Sequence, residues 1–270
     1  MNNDSPVKAV LVVLLVALVA SFLVSASVVI LRPIQLNNQL LDRSTNIMKI
    51  SGLLPAGAAL SDEEMLALFK SLDARIVDMD AAAFVSGVDP YKFDSRKAVS
   101  DPETSVLIPS EFDSASLGRR SGFTLVFLVW DDDELTRIIL PIYGSGMWSV
   151  MYGYIALEPD FNTIADMTFY EQNETPGLGD QITHPDWLAQ WRGRQIYDDH
   201  DDLRFAVALT RVNPGSLSAP YEVDALTGAT VTANAVTALV HYWFGDHGYR
   251  SFLRHLREQT PTRTEASEAS

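Results

Sequence analysis

The 270-residue chain contains no cysteine. That absence excludes disulfides, thiolate-ligated zinc, iron–sulfur clusters held by this chain, a cysteine nucleophile and a lipid-modified cysteine. Redox chemistry therefore has to come from an added organic cofactor, or from a metal held by histidine and carboxylates. Histidine is scarce as well. The five present (His184, His200, His241, His247, His255) form no His-x-x-x-His or Glu-x-x-His pair, so no transition-metal site is expected. Basic residues are few: 20 Lys and Arg stand against 35 Asp and Glu, a net charge of −15. Phosphate backbones need clustered Lys and Arg, so nucleic acid is excluded as a partner. No nucleophile elbow or paired His–Asp context surrounds a serine, which leaves a hydrolase without support and no catalytic residue to nominate.

What the chain does have begins with an apolar run from Ala9 to Leu31, broken only by Ser21, Ser25 and Ser27 and bracketed by Lys8 and Arg32. As a helix it rises roughly 34 Å at about 1.5 Å per residue, enough to cross a hydrocarbon core of about 30 Å. Val24-Ser25-Ala26 resembles a signal-peptidase site, but the run exceeds the roughly 7–15 residues of a signal h-region, so a retained anchor is the expectation. Arg32, Arg43 and Lys49 on one flank outnumber Lys8 on the other, which leans weakly against translocating the large domain.

Beyond the anchor, Ile34, Leu36, Leu40, Leu41, Ile47 and Ile50 recur at helical spacing within Pro33 to Gly52. Ser61-Asp62-Glu63-Glu64 reads as an N-cap and acidic first turn of a helix through Leu72. Asp89 to Ser121 is polar and proline-punctuated, expected as loop with short extended pieces. Thr124–Trp130 and Thr136–Ile142 are strand candidates joined by Asp131-Asp132-Asp133-Glu134, an exposed hairpin turn that lacks the spaced ligands and central glycine of a calcium loop. Tyr152–Leu157 and Phe205–Leu209 are further strands; Thr232–Phe244 and Tyr249–Arg257 read as helices. The tail from Gln259 to Ser270 has no periodicity and reads as disordered.

Three glycine-containing segments follow or precede these elements. Gly144-Ser145-Gly146-Met147-Trp148-Ser149 starts like a dinucleotide fingerprint, but a strand follows it where a helix is required, so the Rossmann reading fails. A turn placing Trp148 beside a flat ligand and an ordinary core tryptophan fit these residues equally. Glu174-Thr175-Pro176-Gly177-Leu178-Gly179 is built to bring backbone N–H groups close to a ligand, or simply to connect two elements tightly. Asn173-Glu174-Thr175 is also a glycosylation sequon, too common a pattern to carry weight. Asp224-Ala225-Leu226-Thr227-Gly228-Ala229-Thr230-Val231-Thr232 leads into a helix. A helix start attracts phosphate through its free N–H groups and partial positive charge. The alternative is that Thr230 or Thr232 is only an N-cap.

Asp-x-x-Thr-Gly-Ala-Thr resembles the flavinylation motif of FMN-binding domains. More broadly, the chain resembles the C subunit of the sodium-translocating NADH:quinone reductase, from the anchor to Leu256. The likeness runs through Asp94-Ser95-Arg96-Lys97-Ala98, Arg119-Arg120, Gly146-Met147-Trp148-Ser149, Ile155-Ala156-Leu157-Glu158-Pro159, Glu174 to Gly179 and Trp187-Leu188-Ala189-Gln190-Trp191. The family has Leu in place of Met147, usually His or Gly at Gln172 and Asn173, and often Ser at Thr227. The acceptor threonine is unchanged.

This resemblance implies covalent FMN, phosphoester-linked to Thr230 by a separate flavin transferase that uses FAD and magnesium. It implies that Thr227, Gly228 and Ala229 wrap the phosphate and ribityl chain, with Trp148, Ser149, Glu174, Thr175, Gly177 and Leu178 around the ring. It further implies an electron relay within a multi-subunit complex of the bacterial inner membrane, from an iron–sulfur centre to a second flavin, with the amino terminus cytoplasmic and the flavin domain periplasmic. The expected fold class is α+β: one transmembrane helix, then one FMN-binding domain with an antiparallel sheet and flanking helices. The expected segments are a stub (1–8), a transmembrane helix (9–31), a juxtamembrane segment (32–60), an FMN-binding domain (61–258) and a tail (259–270). The rivals are the flavin subunit of the Rnf ferredoxin:NAD complex, usually shorter between positions 62 and 120, and a cofactor-free anchored binding or assembly module.

Overall fold

The computed structural model describes residues 6–54, 60–259 and 261–263. Residues 1–5 of the expected stub, and residues 260 and 264–270 of the expected tail, lie outside the described residues. The chain divides into two compact units, Met1–Thr45 and Asn46–Ser270. The apolar run lies in helix α1 (Pro6–Ser51), which continues through the segment expected as a juxtamembrane helix. The side chains of Ile34, Leu36 and Leu40 lie outside the described set. Val7–Arg32 has a mean hydropathy of 2.9 over its most apolar window, and none of that window is buried. A helix apolar on every side and covered on none fits a membrane anchor.

In the second unit, short elements are set by local chemistry and the sheet by burial. Helix α2 (Asp62–Lys70) starts with a capping box: Ser61 Oγ accepts from the Glu64 N–H, and the Glu64 carboxylate accepts from the Ser61 N–H at 2.9 Å. Strands β1 (Asp73–Asp78) and β2 (Ala83–Val85) follow. The expected loop region holds helix α3 (Ser95–Ser100), capped by Asp94, and the short pair β3 (Ser105–Leu107) and β4 (Arg119–Ser121). Strands β5 (Phe123–Asp131) and β6 (Glu134–Ser145) form the expected hairpin. Its two-residue turn puts Asp132 at φ 51°, a left-handed conformation that Asp tolerates. Strands β7 (Val150–Leu157) and β8 (Ile164–Glu171) complete a sheet of order β2-β1-β5-β6-β7-β8. Every neighbouring pair in it is antiparallel.

The rest of the chain covers this sheet. Helix α4 (Pro185–Leu188) and the two-residue parallel strands β9 (Ala206–Val207) and β10 (Glu222–Val223) precede α5 (Thr230–Trp243) and α6 (Arg250–Glu258). The strand expected over Phe205–Leu209 therefore shrinks to two residues. Phe205 packs on Trp191 with ring centroids 4.4 Å apart, and the Val207 N–H donates to Thr237 Oγ1 at 2.9 Å, so neighbours outside any sheet take up this segment. Both faces of the large sheet are buried. Val126, Leu128, Ile138 and Leu140 face the core shared with α5 and α6. Phe127, Val129 and Ile139 face a second core with Phe69 and with Ile47, Met48 and Ile50 from the end of α1. Alternate residues pointing to opposite covered faces explain why β5 reads as an unbroken apolar run.

The position of α5 is decisive for the site. At Gly144 the strand comes so close that an added Cβ would lie 3.1 Å from Leu239 Cβ. The Trp243 indole N–H donates to the Tyr143 carbonyl at 2.7 Å, and the Tyr249 hydroxyl to the Pro141 carbonyl at 2.6 Å. These contacts fix α5 against the end of β6, next to the β6–β7 loop.

Candidate functional site

Three segments far apart in sequence meet: the β6–β7 loop at 146–149, the stretch after β8 at 172–179, and the turn into α5 at 226–232. Glu174 joins all three. Its carboxylate is buried, with the residue 3% exposed. One oxygen accepts from the Trp148 backbone N–H at 3.1 Å, and the other accepts from the Thr232 hydroxyl in a short hydrogen bond. The Glu174 N–H itself donates to Gln172 Oε1 at 2.5 Å. The fit leaves no room for larger residues. A Cβ at Gly146 would lie 2.5 Å from Glu174 Oε1, and one at Gly179 would lie 2.7 Å from Thr232 Oγ1.

Above this buried knot lies an exposed surface. Trp148 is 66% exposed, with its indole N–H donating to Thr175 Oγ1 at 3.0 Å. Met147 beside it in sequence, and Leu178 and Val231 on the other two segments, are exposed as well. Ser149 Oγ accepts from the Asn173 N–H at 3.0 Å, fixing the far side of the loop. The reading of Trp148 as an ordinary core tryptophan is thus corrected: its indole is at the surface, pinned by one hydrogen bond. Beneath the adjoining strands, Tyr143 stacks on Tyr152 with centroids 5.6 Å apart, and burial pushes the Tyr143 hydroxyl up to about 12. The Arg96 guanidinium caps Tyr152 from the other side, 4.1 Å from the ring centroid, and pairs with Glu171.

The start of α5 corrects a second reading. The N-cap position is Ala229, and no side chain caps the helix. Thr230 is the first helical residue and is exposed; Thr232, in the same turn, is buried and spends its hydroxyl on Glu174. Neither threonine is the N-cap. Gly228, at φ +75°, turns the chain into the helix. Thr227 and Gly228 are exposed and Ala229 is buried. Leu178 reaches back to this turn, its Cδ2 3.0 Å from where a Gly228 Cβ would be.

These residues fit a flavin phosphate ester. The first turn of α5 carries no acidic residue and no cap, so its N–H groups and partial positive charge face outward beside the Thr230 hydroxyl. Gly177, also at positive φ, has open space where a side chain would be. The exposed indole offers a flat apolar platform. Two surface cavities lie elsewhere. One of about 480 Å³ is lined by Arg75, Phe84, Phe252 and His255, and one of about 500 Å³ by Gln190, Arg211 and Asp224. Neither is lined by Trp148, Leu178 or Thr230, which are exposed on an open ledge.

Sequence reasoning grouped Trp148, Ser149, Glu174, Thr175, Gly177, Leu178, Thr227, Gly228, Ala229 and Thr230, and these lie on the three converging segments. It held Gly146, Gly179 and Gln172 only as members of these segments, and it missed the tie from Thr232 to Glu174. The recurrent small residues in all three segments were the available signal for close approach.

The uncapped helix start with its exposed threonine lies in a segment that the family profile described as FMN-binding domain matches, residues 146–245, so the chain carries an FMN-binding domain. Over 258 residues the chain is 41% identical to the C subunit of the Na(+)-translocating NADH-quinone reductase of Pseudomonas aeruginosa, covering 95% of this chain and 98% of that one. It is 38% identical to the C subunit of the Vibrio anguillarum enzyme, covering 95% and 97%. The crystal structure of NqrC from Shewanella oneidensis superposes with a TM-score of 0.72 at 33% identity, over 82% of this chain and 98% of that one. A crystal structure of the same type of subunit from Parabacteroides distasonis gives 0.61 at 26% identity, over 83% and 96%. The chain belongs to the family of the C subunits of Na(+)-translocating NADH-quinone reductases. Its α+β fold, with an apolar N-terminal helix followed by an antiparallel sheet and flanking helices, is that of the family. Coverage of nearly the full length of these relatives favours the sodium-pump subunit over the Rnf subunit, and the FMN-binding profile favours a flavoprotein over a cofactor-free module.

Proposed function

We propose that this protein carries FMN as a phosphoester on Thr230 Oγ and acts as an electron relay between other subunits of a sodium-pumping NADH:quinone reductase. The observation that carries the reading is the exposed Thr230 at the uncapped, acid-free first turn of α5. FMN bound there would supply one- and two-electron redox chemistry, which a chain without cysteine does not supply itself. The helix start stabilises the single negative charge left on the ester phosphate. Thr227, Gly228 and Ala229 shape the turn around phosphate and ribityl chain. Trp148, Ser149, Thr175, Gly177 and Leu178 border the ring, and Glu174, expected there from the resemblance, is buried beneath them.

Among the described residues no hydrogen-bonded base stands beside the Thr230 hydroxyl. In this reading attachment is the work of a separate flavin transferase using FAD and magnesium, as the family resemblance implies. A covalent tether suits an open ledge, because a flavin exposed enough to exchange electrons would otherwise be lost. In this reading the chain receives electrons from an iron–sulfur centre on another subunit and hands them to a second flavin. Residues 9–31 form the single-pass anchor in the bacterial inner membrane, 32–60 the juxtamembrane segment and 61–258 the flavin domain. The family resemblance places the amino terminus in the cytoplasm and the flavin domain in the periplasm; the contrary flanking charge carries little weight, since large domains translocate largely regardless of it.

The test is flavin fluorescence of the full chain on a denaturing gel after co-expression with the transferase. Wild type should give a fluorescent band and Thr230→Ala a dark one. A band that stays fluorescent in Thr230→Ala moves the linkage elsewhere; a dark wild-type band ends the covalent reading.

A further inference from the structure

We propose that Glu174 is a positioning residue whose carboxylate, rather than meeting the flavin, registers the Trp148 platform against the helix turn that bears Thr230. This inference rests on the flavin reading above and assigns the residue a specific task within it. The carboxylate is buried, and both of its oxygens are engaged. One bond fixes the backbone of the loop that carries the exposed indole. The other fixes the residue two positions after Thr230, within the same helical turn. No Lys, Arg or His bonds to this buried carboxylate among the described residues. Its compensation comes from an amide, a hydroxyl and the positive end of α5.

A buried acid in this setting is not a surface ligand group; it joins two segments 58 residues apart through bonds with narrow geometric tolerance. Gly146 and Gly179 are the complementary half of the device. A Cβ on either would strike the Glu174 side chain, at 2.5 Å from Oε1 and 2.9 Å from Cβ respectively. The consequence is specific. Without the brace, Thr230 remains exposed on a helix and remains a substrate for esterification. The surface that should hold the ring no longer has a fixed orientation to the point of attachment.

Isoalloxazine is itself achiral, so visible circular dichroism from a tethered flavin reports how firmly the protein fixes the ring. The experiment uses the full chain co-expressed with the flavin transferase, as wild type, Glu174→Ala, Thr232→Val and Glu174→Gln. The expected result is a fluorescent denaturing-gel band in all four, with far-UV dichroism unchanged. The visible dichroism per flavin should fall severalfold in Glu174→Ala and Thr232→Val. It should largely recover in Glu174→Gln, whose carbonyl still accepts from Trp148 and whose amide can donate to Thr232 Oγ1. If Glu174→Ala does not fold, Thr232→Val, which keeps the volume and removes one bond, decides alone. Wild-type dichroism in a flavin-loaded Thr232→Val or Glu174→Ala protein overturns the proposal, as does a Glu174→Gln signal as weak as that of Glu174→Ala. A dark wild-type band overturns the flavin reading beneath it instead.

Discussion

Replacing Gly228 by alanine isolates one physical requirement of the site, the left-handed turn that launches α5. Gly228 sits at φ +75°, where an L-residue costs roughly 1–2 kcal/mol. The new methyl would come within 3.0 Å of Leu178 Cδ2, but that is the end of an exposed, flexible side chain that can move aside, so backbone strain dominates. For a unit of this size, about 1 kcal/mol corresponds to about 2–4 °C in Tm. Gly228→Ala should therefore lower Tm by about 2–8 °C. The control is Gly215→Ala, where φ is not positive and the nearest atom lies at 3.6 Å. The same methyl there should stabilise by about 0.4–1 kcal/mol through the unfolded chain. Thermal unfolding of the full chain in detergent, with both variants side by side, reads the contrast. Covalent flavin loading should also fall in Gly228→Ala, because this turn places Thr230 at the first helical position. A Gly228→Ala Tm within a degree or so of wild type would refute the argument.

Two further outcomes follow from the packing and electrostatics. Leu239, fully buried where α5 crosses Gly144, should cost about 2–5 kcal/mol when cut to alanine, seen as a lower denaturation midpoint with an unchanged slope. Asp201 collects Arg250, Arg254 and Arg257 on one carboxylate. Burial pushes its carboxyl up, but hydrogen bonds from Arg254 and Arg257 and the arginine charges outweigh that and hold it below its ordinary value. A folded value below the unfolded one means the stabilisation is full above the ordinary carboxylate range and lost as pH falls through the folded value. Asp201→Asn should thus lower Tm at about pH 5–8 and converge on wild type in acid, with the gap narrowing in high salt. A gap that persists in acid would assign Asp201 a role other than charge.

Much of the fold was legible because the relevant physics is local. The capping box at Ser61 and Glu64, the β5–β6 hairpin and the apolar N-terminal helix each depend on residues close in sequence. Strands β1 and β8 were not legible. Asp73–Asp78 carries two aspartates and an arginine, and Ile164–Glu171 mixes acidic, small and aromatic residues, so neither shows a clean two-residue period. They are strands because β5 and β7 offer them ladders and the two cores cover them. The N-cap alternative for Thr230 failed for a related reason. Which residue caps a helix depends on where the incoming chain turns, and the turn at Gly228 placed Ala229 there instead.

The sequence by itself determined the apolar N-terminal helix, the absence of thiol chemistry, and the motif whose threonine leads into a helix, because these follow from composition and short spacing. Only the tertiary structure decided that Trp148 and Glu174, 26 residues apart, and Glu174 and Thr232, 58 apart, form one site. It also decided that the acid faces inward while the indole faces out. Side-chain direction at a loop is set by what the rest of the sheet and α5 leave open, and short-range sequence pattern does not encode it.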